Sequence, residues 1–306
     1  MSNKSDINSG LVQGVLQGAK TGLGFSRMES GIKKGVMNGI SRREKVQDPA
    51  MLPSSKQPLT YWVADIFPEA ADGSAVSSVS NLAGSATLTV GGNPVRRKGC
   101  GNKSYIDLDN TSDLIQTSST AGTRELTVMM VFRPSSNVAT DTAIFERLNS
   151  AFTQIGDISI YVTGSNKIAV RFNSSTSTTT YLRYETSMLR DYSLSNTVKT
   201  GTAENEWILL TAKFDMNRGV AIPGRDIEVY INGTKNNMAL INNTWNLATG
   251  QNMQSVSCFF GNAGSGSNPS SSGVHVASGM VFDYWLSNAE QLRIENFLKH
   301  YYGFRF

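Results

Sequence analysis

From residue 59 onward, apolar residues come in short runs separated by Gly, Asn and Ser, the spacing of strands rather than of long helices. Leu126 to Phe132 (LTVMMVF) is apolar at nearly every position, which predicts a central strand covered on both faces. Ser159–Val162 and Lys167–Phe172 flank Thr163-Gly164-Ser165-Asn166. In the second run Ile168, Val170 and Phe172 alternate with Lys167, Ala169 and Arg171, so a hairpin with one buried face is expected. Further strands are predicted at Trp207–Phe214, at Ile227–Ile231 ending in Asn232-Gly233, at Val256–Phe260 and at Val274–Trp285. One helix is well specified: Ser287 and Glu290 form a capping box, Leu292, Ile294, Phe297, Leu298 and Tyr301 supply its apolar positions, and Gly303 ends it. The Ser/Thr/Gly-rich runs 173–180 and 264–273 read as exposed loops.

The first 58 residues follow another rule. Gly10-Leu11, Gly14-Val15, Gly18 and Gly22-Leu23 recur every four residues, and Gly31-Ile32, Gly35-Val36 and Gly39-Ile40 resume the tetrad. On a helix this step lays a glycine stripe beside an apolar stripe, where another backbone can approach closely. Each interior glycine costs about 1 kcal/mol relative to Ala, so the arm is expected to order only when docked on a partner. A flexible tail and a membrane-active segment over residues 8–42 are the alternatives. Pro49, Pro53 and Pro58 punctuate a polar stretch that reads as a linker.

Charge sharpens that division. Residues 1–58 carry nine Lys/Arg against four Asp/Glu, and the rest of the chain 19 against 20. The arm is therefore the part suited to an acidic partner such as nucleic acid, a lipid surface or an acidic protein groove, and the body is electrostatically bland. Charged residues are only 17% of the 306, and no stretch of about 20 apolar residues occurs, which argues against a coiled coil and a membrane span; no secretion leader is expected. Cys100 and Cys258 make neither a disulfide framework nor a zinc cluster.

The order of several fragments then resembles a known family. Asp72-Gly73-Ser74, Ser80-Asn81-Leu82-Ala83-Gly84, Tyr105-Ile106-Asp107-Leu108, Phe132-Arg133-Pro134, Phe214-Asp215, Val229-Tyr230-Ile231-Asn232-Gly233 and Leu286-Ser287-Asn288-Ala289-Glu290 with Tyr302-Gly303 together look like a laminin G-like, concanavalin A-type lectin/glucanase domain. The resemblance implies an all-β jelly-roll sandwich of two antiparallel sheets with a C-terminal helix over 59–306, preceded by an extended or partly helical anchoring arm and linker over 1–58. Such domains serve as carbohydrate-binding modules, adhesion domains and bacteriophage virion proteins, so the fold alone assigns no function.

The chemistry legible in the sequence is sparse. Asp226-Ile227-Glu228 puts two carboxylates on one strand face, as glycosidases of this type do, but Arg225 and Tyr230 stand where further acids are wanted, and a solvent-facing pair is expected. His275 in a strand and His300 in the last helical turn read as structural. No nucleophile elbow, phosphate loop or zinc-protease motif occurs. Trp207 and Trp285 read as sheet-packing residues, and Arg96-Arg97-Lys98 as a solvated loop too small for specific nucleic-acid binding. Trp245, with Asn243 and Asn246 beside it, is the candidate sugar platform, because an aromatic face ringed by amides suits a pyranose.

The resulting expectation is a non-enzymatic virion structural protein of a bacteriophage, assembled in the host cytoplasm, oligomeric and without metal or cofactor. Its arm docks on capsid or other virion proteins, and its sandwich is displayed as a capsid decoration or fibre-type module facing a host-surface glycan. A carbohydrate-binding lectin module is the alternative.

Overall fold

The computed structural model describes residues 48–66, 71–101, 103–108, 113–120, 122–134, 141–147, 158–163, 165, 167–173, 181–186, 207–215, 227–243, 256–261 and 273–304. The Gly-apolar tetrads lie outside them. The strands are β1 (Thr60–Val63), β2 (Leu88–Gly91), β3 (Val95–Cys100), β4 (Lys103–Leu108), β5 (Leu114–Thr117), β6 (Glu125–Pro134), β7 (Thr142–Arg147) and β8 (Ile158–Val162). They continue with β9 (Ile168–Asn173), β10 (Tyr181–Thr186), β11 (Ile208–Asp215), β12 (Ile227–Ile231), β13 (Thr234–Asn236), β14 (Met238–Asn243), β15 (Cys258–Gly261) and β16 (Val274–Phe282), and a helix, α1 (Asn288–Tyr302), follows.

Two antiparallel eight-stranded sheets form the all-β sandwich that the sequence predicts. The first runs β13-β12-β11-β6-β16-β4-β3, with β1 beside β16, and the second runs β14-β10-β9-β8-β7-β15-β5-β2. Between them lies a core built from inward-facing residues of most strands, among them Val128, Met130 and Phe132 of β6, Ile160 of β8, Val170 of β9, Leu210 of β11 and Phe260 of β15. Trp62 meets Phe260 edge-on in this layer, with ring centroids 5.3 Å apart.

The other face of the first sheet is also buried. Met129 and Val131 of β6, Leu209 of β11 and Met280 of β16 pack under Ile294, Phe297, Leu298 and Tyr302 of α1. This second apolar layer is why LTVMMVF lacks the alternation of a half-exposed strand. Both devices of the helix cap are present: Ser287 accepts from the Glu290 backbone N–H, and the Glu290 side chain accepts from the Ser287 backbone. Gly303 adopts φ 74° at the C-terminal end. A Cβ on Gly101, at φ +57°, would stand 2.1 Å from the Tyr302 carbonyl oxygen, so only glycine lets the β3–β4 turn meet the helix end. Asn232 and Gly233, at φ 53° and 83°, close the β12–β13 hairpin as that dipeptide predicts.

Several expectations are corrected. Leu292 is 50% exposed, and Gln291 and Glu295 occupy the buried stripe of α1 instead. The stretch 49–58 does not stand off as a linker: Pro49–Met51 and Ser54–Lys56 form single turns, Leu52 is buried in the helix-side layer, and Lys56 pairs with Glu290. Arg96-Arg97-Lys98 belongs to β3 rather than to a loop, with Arg96 buried. Trp285 lies three residues beyond the end of β16, whereas Trp207 is buried in the helix-side layer as expected. The β8–β9 hairpin forms, but Ala169 and Arg171 on its supposed open face are buried too.

Candidate functional site

Strand register assembles one feature that no local motif announces. Thr89, Gln116, Phe259, Glu146, Ser159, Arg171, Arg183 and Asn242 stand directly opposite one another, one from each of the eight strands of the second sheet. Their chain neighbours Ile115, Phe260, Phe145, Ile160, Val170 and Tyr184 fill the inter-sheet core, so by strand alternation this row lies on the opposite face. The row contains no aliphatic side chain. Its centre is enclosed, with Glu146 and Ser159 fully buried and Arg171 8% exposed. Its ends, Gln116, Arg183 and Asn242, are half-buried, and Thr89 is exposed.

Holding such groups out of water requires partners. Ser159 Oγ donates to Glu146 Oε1 at 3.3 Å. Arg183 is forked: Nε and Nη2 donate to Glu185 Oε1 at 3.0 and 2.7 Å, Nη1 lies 2.9 Å from Asp141 Oδ2, and the guanidinium sits 4.9 Å over the Tyr161 ring. Lys167 Nζ adds a further bond to Glu185 Oε2 at 3.2 Å. Burial alone would raise the Glu185 carboxyl; the bonds from Arg183 and Lys167 outweigh it and hold that carboxyl below the usual range. Burial pushes the Tyr161 phenol up. Arg171 faces Arg183 across the β9–β10 pair, a repulsive juxtaposition that the nearby carboxylates offset. Polar groups of the row reach solvent only at its ends, and there the Arg183 guanidinium and Asn242 amide on one side, and the Gln116 amide and Thr89 hydroxyl on the other, can hydrogen-bond a polyhydroxylated or carboxylated ligand without any group having to react.

The candidates chosen from sequence are dispersed. Asn243 ends β14 opposite Leu182, one residue beyond Asn242 of the row, and its side chain lies outside the described residues, as do Trp245 and Asn246. Asp226 also lies outside them. Glu228 is not solvent-facing: its side chain is 12% exposed, pairs with Lys235, accepts from Tyr230 Oη at 3.0 Å and lies 3.7 Å from the buried Lys213 Nζ. Lys213 also donates to Asn288 Oδ1 at 3.2 Å and lies 5.1 and 5.5 Å from the Tyr230 and Trp285 ring centroids, which ties α1 to β11 and β12. Desolvation pulls the Lys213 ammonium down against the opposing pull of Glu228 and Glu295.

His275 is held as tightly. Arg133 Nε and Nη2 lie 3.2 and 3.0 Å from its Nδ1, which assigns the acceptor role to that nitrogen, and its Nε2 lies 3.0 Å from Asp107 Oδ1. The Tyr105 ring stacks on it at 4.8 Å. Cys100 and Cys258 are buried and unpaired with each other, and burial pushes the Cys258 thiol up to about 11. Among the described residues, no group of three or more His, Cys, Asp or Glu side chains is placed to hold a metal ion, and no helix is long and apolar enough to cross a membrane. The polar row was invisible to sequence reading because its members are spread from residue 89 to residue 242 and then 259, and only the register joins them.

No family model matches the chain, and no curated protein matches it. Solved structures do. The binding domain of botulinum neurotoxin DC in complex with SialylT superposes with a TM-score of 0.53 at 11% identity, over 80% of this chain and 52% of that one. The receptor binding domain of botulinum neurotoxin C/D mosaic serotype gives 0.51 at 12%, over 80% and 52%. The serotype D ligand binding domain in complex with N-acetylneuraminic acid gives 0.51 at 13%, over 81% and 52%. The chain thus spans about half the length of these neighbours, and at such identity the likeness concerns architecture: the fold is a lectin-like β-sandwich.

Proposed function

We propose that this chain is a non-enzymatic recognition protein, a glycan-binding sandwich displayed on a bacteriophage particle and anchored there by its N-terminal arm. The observation that carries the reading is the polar row of the second sheet, on the face turned away from the layer where the chain enters the sandwich at Asp48. Ala50, Leu52 and Lys56 are tied to the α1 side, the first two by packing in the helix-side layer and Lys56 by its pair with Glu290. The segment 48–56, to which the arm connects, and the row therefore lie on opposite faces, which supports the layout of a displayed binding module. Recognition rather than catalysis is supported by Glu228, Asp107 and His275 being engaged in contacts between neighbouring strands of the first sheet. The neighbours are described as receptor- or ligand-binding domains, and one holds N-acetylneuraminic acid, which makes acidic sugars the first ligands to try.

A glycan array with sialylated and neutral glycans tests the sandwich. Selective binding that falls at least tenfold in Arg183→Ala, with the fold intact by circular dichroism, is expected. Binding unaffected by Arg183→Ala and Asn242→Ala, or turnover of a polysaccharide, overturns it. The arm is tested separately by incorporation into particles: Gly14→Leu/Gly18→Leu should weaken it, and equal occupancy with wild type removes the anchoring role.

A further inference from the structure

Among the described residues the two sheets end in five edge strands, β13, β3 and β1 in the first and β14 and β2 in the second, and they are not equally guarded. β1 is covered by residues 82–86, whose Leu82 and Ala86 N–H groups donate to the Tyr61 and Leu59 carbonyls. An open edge offers unpaired backbone groups to any other strand, and proteins blunt it with charge, brevity or a covering segment. β3 carries Arg96, Arg97 and Lys98 and is covered by residues 73–76, whose backbone exchanges hydrogen bonds with Pro94 and Arg96. β13 has three residues and carries Lys235. β2 has four residues. β14 is six residues long (MALINN) and uncharged, and it lies in a stretch with no Asp, Glu, Lys or Arg between Lys235 and Asp283.

β14 is also where apolar surface is left out. Among the described residues the exposed large hydrophobic side chains are Met51, Leu82, Leu240, Ile241 and Leu292, and only Leu240 and Ile241, at 45% and 54%, are adjacent. The register explains the adjacency. Tyr184 pairs with Leu240 and Arg183 with Asn242, so Ile241 is an extra residue in a bulge, which re-aims its side chain.

We propose that β14 is a self-association edge, at which two copies of this chain pair their β14 strands antiparallel about a twofold axis. A second copy is the favoured occupant because the strand presents no charge to repel its own image and none to select a charged partner. The twofold of an antiparallel strand pair stands perpendicular to the sheet, so both polar rows fall on the same side, joined at their Asn242 ends. Two rows on one surface multiply the hold on a repeating ligand without any new contact. The pairing itself does not require that the rows bind glycan.

Sedimentation velocity on the full chain from micromolar concentration upward tests this. A species of twice the 33.2 kDa chain mass is expected for wild type and for Thr89→Lys on the β2 edge, with at least tenfold weaker association for Leu240→Lys/Ile241→Lys. Hydrogen exchange of the wild-type Ala239–Asn242 amides should slow as concentration rises, a readout that stands even where the double variant fails to fold. A wild type monomeric throughout, exchange independent of concentration, or a dimer unchanged in the double variant overturns the proposal. So does a dimer lost only in Gly14→Leu/Gly18→Leu, which would assign association to the arm.

Discussion

The outer faces of the two sheets are built from the same strand geometry and filled in opposite ways. On the first sheet, Tyr61, Met280, Met129 and Thr211 form a cross-strand row beneath α1, apolar except for a threonine that donates to the buried Glu295 at 2.8 Å. On the second sheet, the corresponding row runs Phe259, Glu146, Ser159, Arg171 and Arg183. Aliphatic side chains under a helix gain about 1.5–3 kcal/mol each from burial, whereas buried ions at best break even. The first face is therefore the one that burial stabilises most, and the second is held by hydrogen bonds and ion pairs that add less.

Four measurements sharpen or break that contrast. Leu298→Ala, in the α1 layer, should lower the unfolding free energy in urea by about 3 kcal/mol; a loss under about 1 kcal/mol would mean the helix is not locked on the sheet. Ser159→Ala removes the donor to Glu146 and should cost about 1 kcal/mol by the same assay; a loss above that of Leu298→Ala would make the polar face the structural one.

Acid should act on the second face through Glu185. Its carboxyl is held below the ordinary value in the folded chain, so the stabilisation is complete above the unfolded carboxylate value of about 4.3 and disappears as pH falls through the depressed folded value. The stability gap between wild type and Glu185→Gln should be flat from neutral pH to about 5 and close below about 4. A gap that instead opens on acidification would refute the ion-pair assignment. The smallest effect is expected at Leu292→Glu, within about 0.5 kcal/mol in thermal unfolding, because that side chain faces water rather than the sheet.

What the sequence discloses is whatever depends on near neighbours. LTVMMVF, the β8–β9 turn, Asn232-Gly233 and the Ser287–Glu290 cap each carry their own instruction within a few residues. Thr142–Arg147 (TAIFER) carries none: a bulge between Ala143 and Phe145 breaks its period, so Glu146 could not be assigned to a face. Leu292 misled because it sits on the edge of a stripe in which Gln291 and Glu295 take the inner places, Glu295 Oε1 accepting from both Thr211 Oγ1 and Gln291 Nε2. Trp245 lies on a segment outside the described residues, and what register supplies in its place is Asn242 beside Arg183.

The placement of β16 sets the order in which the chain can be completed. It pairs with β6 on one side and with β4 and β1 on the other, and Thr60 near the start of the sandwich meets Val281 near its end. During synthesis at about 5–20 residues per second, β1 and β6 wait tens of seconds for this partner, with their hydrogen-bonding edges open. Closure of the sheet is a late event with a long loop-closure cost, and the capped α1 emerges directly behind it to cover the outer face. A ribosome stalled before Val274 should therefore carry a nascent chain that binds chaperones, and release past Tyr302 is the point at which protease resistance is gained.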